Sequence, residues 1–174
     1  MAKKELTFTS KLILAIHQAE DMAMPWILPR EWRKRVFLGG DYDSYRAIMY
    51  RLEKRGLLKF IKYKDSRFVQ LTAKGQLEAL FIKAKLPFRE KWDGKWRLIV
   101  FDIPEEARLR RDQFRKLLKI NQFKKLQQSV FISPYPLSRE AIEYLEQSKL
   151  IENIRIMRVD EMDNDAELRQ SFGL

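Results

Sequence analysis

Residues 97–118, RLIVFDIPEEARLRRDQFRKLL, decide the architecture of the second half of this chain. Leu98 to Phe101 form an unbroken apolar run, the pattern of a buried central strand. Pro104 suits the first turn of a following helix, because its missing N–H would be unpaired there anyway. Glu105 and Glu106 then complement the positive helix end. Phe114, Leu117 and Leu118 recur at three- and four-residue steps, which predicts a helix to about Ile120 with one face on the strand. Arg108, Arg111 and Arg115 form a separate basic stripe on that helix.

Downstream, residues 123–134, FKKLQQSVFISP, read as two short strands or one bent strand. Ser138 starts a helix through Lys149 that carries Ile142 and Leu145 inward. Residues 153–160, NIRIMRVD, complete the pattern as a last strand. The order β-α-β-β-α-β is that of a ferredoxin-like domain, whose open strand edges invite pairing of two copies. An acidic tail follows Asp160. In it Leu168 and Phe172 lie four residues apart and predict a short helix that docks on a partner.

Upstream, Gly75 to Lys83 read as a connecting helix ended by Pro87. Trp92, Asp93, Gly94 and Trp96 form an aromatic turn, with the tryptophans expected in the seam between domains. Before that, Thr9 or Ser10 can cap a helix carrying Leu12, Ala15, Ile16 and Ala19, with His17 off the apolar stripe as polar surface. A short helix is expected near Glu31 to Phe37, stopped at Gly39-Gly40. Residues 43–56, DSYRAIMYRLEKRG, form a third helix ended by Gly56, with Tyr45, Ile48, Met49 and Leu52 inward. LKFIKY and RFVQLT around a polar turn predict a β-hairpin. Three helices and a hairpin within the first 73 residues make a winged helix-turn-helix.

The fold class is therefore α+β: an N-terminal winged helix-turn-helix followed by a ferredoxin-like domain. The boundaries read as 1–73 for the winged helix, 74–94 for the linker helix and aromatic turn, 95–160 for the ferredoxin-like dimerisation domain, and 161–174 for the acidic tail.

Charge follows the same division. Residues 1–90 hold 19 Lys/Arg against 10 Asp/Glu, and residues 91–174 hold 16 against 14, so the front half carries most of the net charge of +11. A basic face attracts a polyanion and gains affinity by releasing its counterions. With no cysteine and one histidine, disulfides, thiolate metal sites and histidine-rich zinc sites are excluded. No signal peptide and no apolar run of roughly 20 residues is present, so a cytoplasmic protein without membrane contact is expected.

The candidate partner is double-stranded DNA. A helix fits the major groove, where Arg46 and Arg51 can bond guanine edges and Tyr50 can pack on a thymine methyl. Ser44 and Lys54 suit phosphates, and Lys62, Lys64 and Arg67 on the wing suit the backbone or minor groove.

Residues 91–118, KWDGKWRLIVFDIPEEARLRRDQFRKLL, followed by FKKLQQSVFISP, resemble the PaaX family of bacterial transcriptional regulators. The resemblance implies a DNA-binding repressor acting as a homodimer. The central segment in turn looks like the small CRISPR adaptation nuclease, a ferredoxin-like homodimer with an aspartate at the end of its first strand. Asp102 matches that aspartate. This leaves two alternatives: a nuclease with Asp102 as catalytic residue and Mg²⁺ ligand, or a non-catalytic DNA scaffold using Arg108, Arg111 and Arg115. The ordinary role of Asp102 is to cap the next helix. No cofactor is expected beyond Mg²⁺ under the nuclease alternative. Full-length regulators extend past the position matching Leu174, and no Gly-rich phosphate loop supports acyl-coenzyme-A sensing, so the effector is unassigned.

Overall fold

Helix α1 spans Phe8–Asp21 and begins where Thr7 Oγ1 accepts the Ser10 N–H at 3.2 Å. The cap is thus Thr7, not Thr9 or Ser10. The computed structural model describes residues 6–21, 42–63, 66–86 and 91–174, in two units that divide after Lys83.

In the first unit, α1 is followed by helix α2 (Tyr42–Lys54), strands β1 (Leu58–Tyr63) and β2 (Ser66–Leu71), and helix α3 (Ala73–Lys83). The helix expected near Glu31 to Phe37 lies outside the described residues. Gly56 ends α2 with a left-handed φ of 68°, a conformation that glycine adopts without a Cβ clash. Its N–H donates to Glu53 O at 2.8 Å, and Leu57 N–H donates to Leu52 O at 2.9 Å. Leu52 and Leu57 are both buried, which completes a Schellman stop with its apolar contact. The chain then enters an antiparallel hairpin that pairs Leu58 with Leu71 and Tyr63 with Ser66.

The core of this unit gathers Leu12, Ile13 and Ile16 of α1, Met49 and Leu52 of α2, Leu58, Val69 and Leu71 of the hairpin, and Ala79 and Ile82 of α3. Helix α3 is therefore part of the first unit, packed against α1, although its sequence reads as a connector. Glu20 ties the pieces together: its carboxylate accepts the Leu71 N–H at 2.7 Å and Gln76 Nε2 at 3.2 Å. His17 is half-buried with Nδ1 3.3 Å from Lys83 Nζ, which corrects its reading as plain polar surface.

In the second unit, strand β3 (Trp96–Phe101) lies between β5 (Val130–Ser133) and β6 (Ile154–Val159), and β4 (Lys124–Gln127) flanks β5. All pairs are antiparallel. Helices α4 (Arg108–Ile120) and α5 (Arg139–Gln147) complete the β-α-β-β-α-β order. Residues 123–134 are thus two strands rather than one bent strand. Phe101 meets Phe114 of α4 edge-on at 5.1 Å and Phe131 of β5 at 5.9 Å. Ser138 Oγ accepts the Ala141 N–H at 3.2 Å and starts α5.

The tail closes on its own unit. Helix α6 (Ala166–Phe172) brings Phe172 to 5.7 Å from Trp96, which is itself 5.6 Å from Trp92. The two tryptophans pack here beneath the tail helix, which docks on the sheet of its own unit.

Candidate nucleic-acid interface

Helix α2 is amphipathic in a simple way. Met49 and Leu52 are fully buried, and Tyr45 and Ile48 pack beside them. Arg46, Tyr50 and Lys54 then fall on one outward line, because steps of four residues stay on one helix face. Tyr50 is 58% exposed, an unusual position for a large aromatic ring with no structural need to face water. Lys54 Nζ sits 5.6 Å from the centre of that ring. Arg51 is exposed beside this line, and its Nε donates to Ala47 O at 3.2 Å, which steadies the side chain along the helix. Basic side chains in the last turn also suit the negative end of the helix.

The hairpin adds exposed lysines. Lys62 of β1 is exposed. Lys59 is exposed as well and was not singled out from the sequence. The signal for it is the two-residue alternation counted from buried Leu58, which turns Lys59 outward. Arg67 lies on β2 directly opposite Lys62. The side chains of Ser44 and Arg67 and the whole of Lys64 lie outside the described residues.

The basic stripe of the second unit behaves differently. Arg111 reaches Glu105 at 2.7 Å. The guanidinium holds the Glu105 carboxyl below its usual range, and the carboxylate raises Arg111 in return. Arg115 lies 3.6 Å from Asp112, donates to Gln128 O at 3.2 Å and stands 5.8 Å over the Phe101 ring. These two arginines fasten α4 to its own turn and sheet, while Arg108 is exposed. The stripe is therefore not one continuous cationic face.

Asp102 is exposed at the end of β3, and its backbone N–H donates to Asn153 O at 3.0 Å. It does not cap the next element. Pro104 occupies the cap position of the 3₁₀ turn Glu105–Ala107, with no side-chain cap bond, and α4 begins only at Arg108. Among the described residues no group of three or more His, Asp or Glu side chains is placed to hold a metal ion. Asp102 offers one carboxylate per chain, a thin donor set for Mg²⁺. No helix among the described residues is long and apolar enough to cross a membrane.

Comparison with known proteins agrees with the topology of the second unit. Residues 89–170 match the family described as "PaaX protein central Cas2-like domain". A search of curated proteins finds no match to this chain. The matched span begins just before β3 and ends within α6, so it contains the whole four-stranded sheet, both covering helices and most of the docked tail. Residues 89–170 of the chain are accordingly similar to the central Cas2-like domain of the PaaX family.

Proposed function

We propose that this chain is a sequence-specific, DNA-binding transcriptional regulator, a repressor that works as a homodimer. The reading is carried by one observation: α2 buries Met49 and Leu52 and turns Arg46, Tyr50, Arg51 and Lys54 to solvent, followed directly by a hairpin with exposed Lys59 and Lys62. In a winged helix-turn-helix, α2 is the recognition helix and the hairpin is the wing. Arginines on such a helix form paired bonds to guanine in the major groove, and a tyrosine can contact a thymine methyl or a phosphate. The wing, with Lys62, Lys64 and Arg67, takes the phosphate backbone. Phosphate contacts supply most of the affinity, and one or two helix residues set the sequence preference.

The test is a gel-shift titration with duplex DNA from upstream of the protein's own gene, with the double variant Arg46→Ala, Arg51→Ala alongside. The wild type is expected to shift the duplex. The variant should bind at least about tenfold more weakly, the equivalent of one lost paired contact at roughly 1–3 kcal/mol. Equal binding by a correctly folded double variant refutes the recognition-helix assignment.

A further inference from the structure

A cavity of about 320 Å³ opens in the second unit beside β6. Phe123, Leu137, Ile142 and Ile156 give it apolar walls, and Arg97 and Arg158 stand among the residues that line it. The register sets Ile156 opposite Ile99 and Arg158 opposite Arg97. Alternation along the strands puts all four on the face of Phe101, the face that meets Phe114 of α4. Phe123 and Leu137 are buried and Ile142 is half-buried, whereas Ile156 is 41% exposed. The cavity thus has an apolar floor under helix cover and an apolar side chain at its open edge.

The rim is charged, and its charges are unequally served. Asp102 N–H bonds Asn153 O, and antiparallel ladders alternate, so Arg97 and Arg158 form a pair without hydrogen bonds between them, the kind whose side chains stand closer. Two like charges directly opposite each other are destabilising. Arg97 is already engaged: its terminal nitrogens donate to the two Asp93 oxygens at 3.2 and 2.7 Å, and one of them donates to Lys95 O at 2.8 Å. Asp160 accepts from Lys95 Nζ at 2.6 Å. Arg158 Nε lies 3.9 Å from that same oxygen, too far for a hydrogen bond. Two carboxylates therefore serve three cations, and Arg158, with its side chain 64% exposed, is the one least served. By the same alternation its backbone N–H points out of the sheet at the rim.

We propose that this cavity binds a small apolar carboxylate, with its hydrocarbon part against Leu137, Ile142 and Ile156 and its carboxylate on Arg158. Pockets of this kind are mostly apolar, with a few polar groups that fix the orientation of the ligand. A guanidinium takes a carboxylate through two parallel hydrogen bonds. The bound anion would supply the missing negative charge and relieve the repulsion between Arg97 and Arg158. At about 30 Å³ for each water-sized group, the cavity has room for about ten non-hydrogen atoms. A small inorganic anion would leave the apolar walls wet, and a neutral hydrocarbon would leave the arginine pair uncompensated. The site goes beyond the DNA-binding reading and does not depend on it.

Octanoate matches the cavity in size and serves as the probe. Calorimetric titration of the full chain should show one octanoate bound per chain with a Kd at or below about 1 mM. Octanamide keeps the hydrocarbon and lacks the charge, and acetate keeps the charge and lacks the hydrocarbon. Each should bind at least about tenfold more weakly than octanoate. Arg158→Gln should weaken octanoate by at least about tenfold and leave octanamide unchanged. Arg155→Gln, on the opposite face of the same strand, is the control and should leave octanoate unchanged. Both arginines are exposed, so both variants are expected to keep the fold. Absence of octanoate binding at several millimolar, equal binding of octanamide, wild-type affinity in Arg158→Gln, or an equal loss in Arg155→Gln would each overturn the proposal.

Discussion

The indole N–H of Trp96 donates to Asp165 Oδ2 at 2.9 Å, joining residues 69 positions apart. Asp165 also lies 2.8 Å from Arg169 Nε, and the Arg169 guanidinium sits 4.8 Å over the Trp92 ring. One carboxylate thus pairs a strand tryptophan that is only 1% exposed with the helix that covers it. Its two partners, Arg169 first and Trp96 second, hold the Asp165 carboxyl below its ordinary range.

Asp165→Ala should therefore release the tail. The buried indole loses its acceptor, and Arg169 loses the partner that orients it over Trp92. We expect a lower denaturant midpoint and a red-shifted tryptophan emission, as water reaches Trp96. Guanidinium titration followed by fluorescence checks both, and unchanged midpoint and emission would show that the helix is held by other contacts.

Acid should loosen the entry to the central strand. Asp93 takes the Arg97 guanidinium through both oxygens, at 3.2 and 2.7 Å. The Arg97 hydrogen bond, aided by the Lys95 backbone N–H, moves the Asp93 carboxyl from 3.8 to about 2. A carboxyl depressed on folding contributes stability that is present above its unfolded value and is lost as pH falls through its folded one. The contribution should thus be intact at pH 5 and disappear between about pH 4 and pH 2. Asp93→Asn should flatten the stability curve within that window, as read by urea midpoints at stepped pH.

Gly75→Ala should be severe. The added Cβ would stand 1.8 Å from Leu57 O, a backbone atom that cannot swing away, and 3.2 Å from Leu71 Cδ2. Overpacking of this kind costs about 1–3 kcal/mol and more where backbone must move, so a loss of at least about 3 kcal/mol is expected. Chemical denaturation measures it, and a loss below about 1 kcal/mol would mean that α3 slides freely on the first unit.

Salt should report on the front unit and not the rear. Each phosphate contact removed lowers the slope of log K against log salt by about 0.9 for duplex DNA. Lys62→Ala should reduce that slope by about one contact's worth with nearly equal loss on every sequence. Arg111→Ala, whose native partner is Glu105, should leave the slope unchanged. The reverse result would transfer DNA binding to the second unit.

Asp102 provides a direct contest between regulator and nuclease. Labelled DNA and RNA incubated with the protein and Mg²⁺ or Mn²⁺ are expected to stay intact. Cleavage that vanishes in Asp102→Asn would establish the nuclease alternative, since an exposed strand-end aspartate is the residue that chemistry would need.

The ferredoxin-like order was legible from local pattern alone. An apolar run at 98–101, helical spacing at Phe114, Leu117 and Leu118, and a serine ahead of α5 each express short-range rules. The same holds for the outward line of α2, because the period of a helix assigns faces without knowledge of partners. Tertiary packing decided what spacing cannot encode: which distant surface a face meets. The period of α3 gives no sign that it packs on α1, and that of the tail gives no sign that it covers Trp96. Nor does spacing tell which arginines of a stripe are already paired, as Arg111 is with Glu105. Charge type is a property of the residue, but its freedom to bind depends on neighbours that only the folded chain brings within a few ångströms.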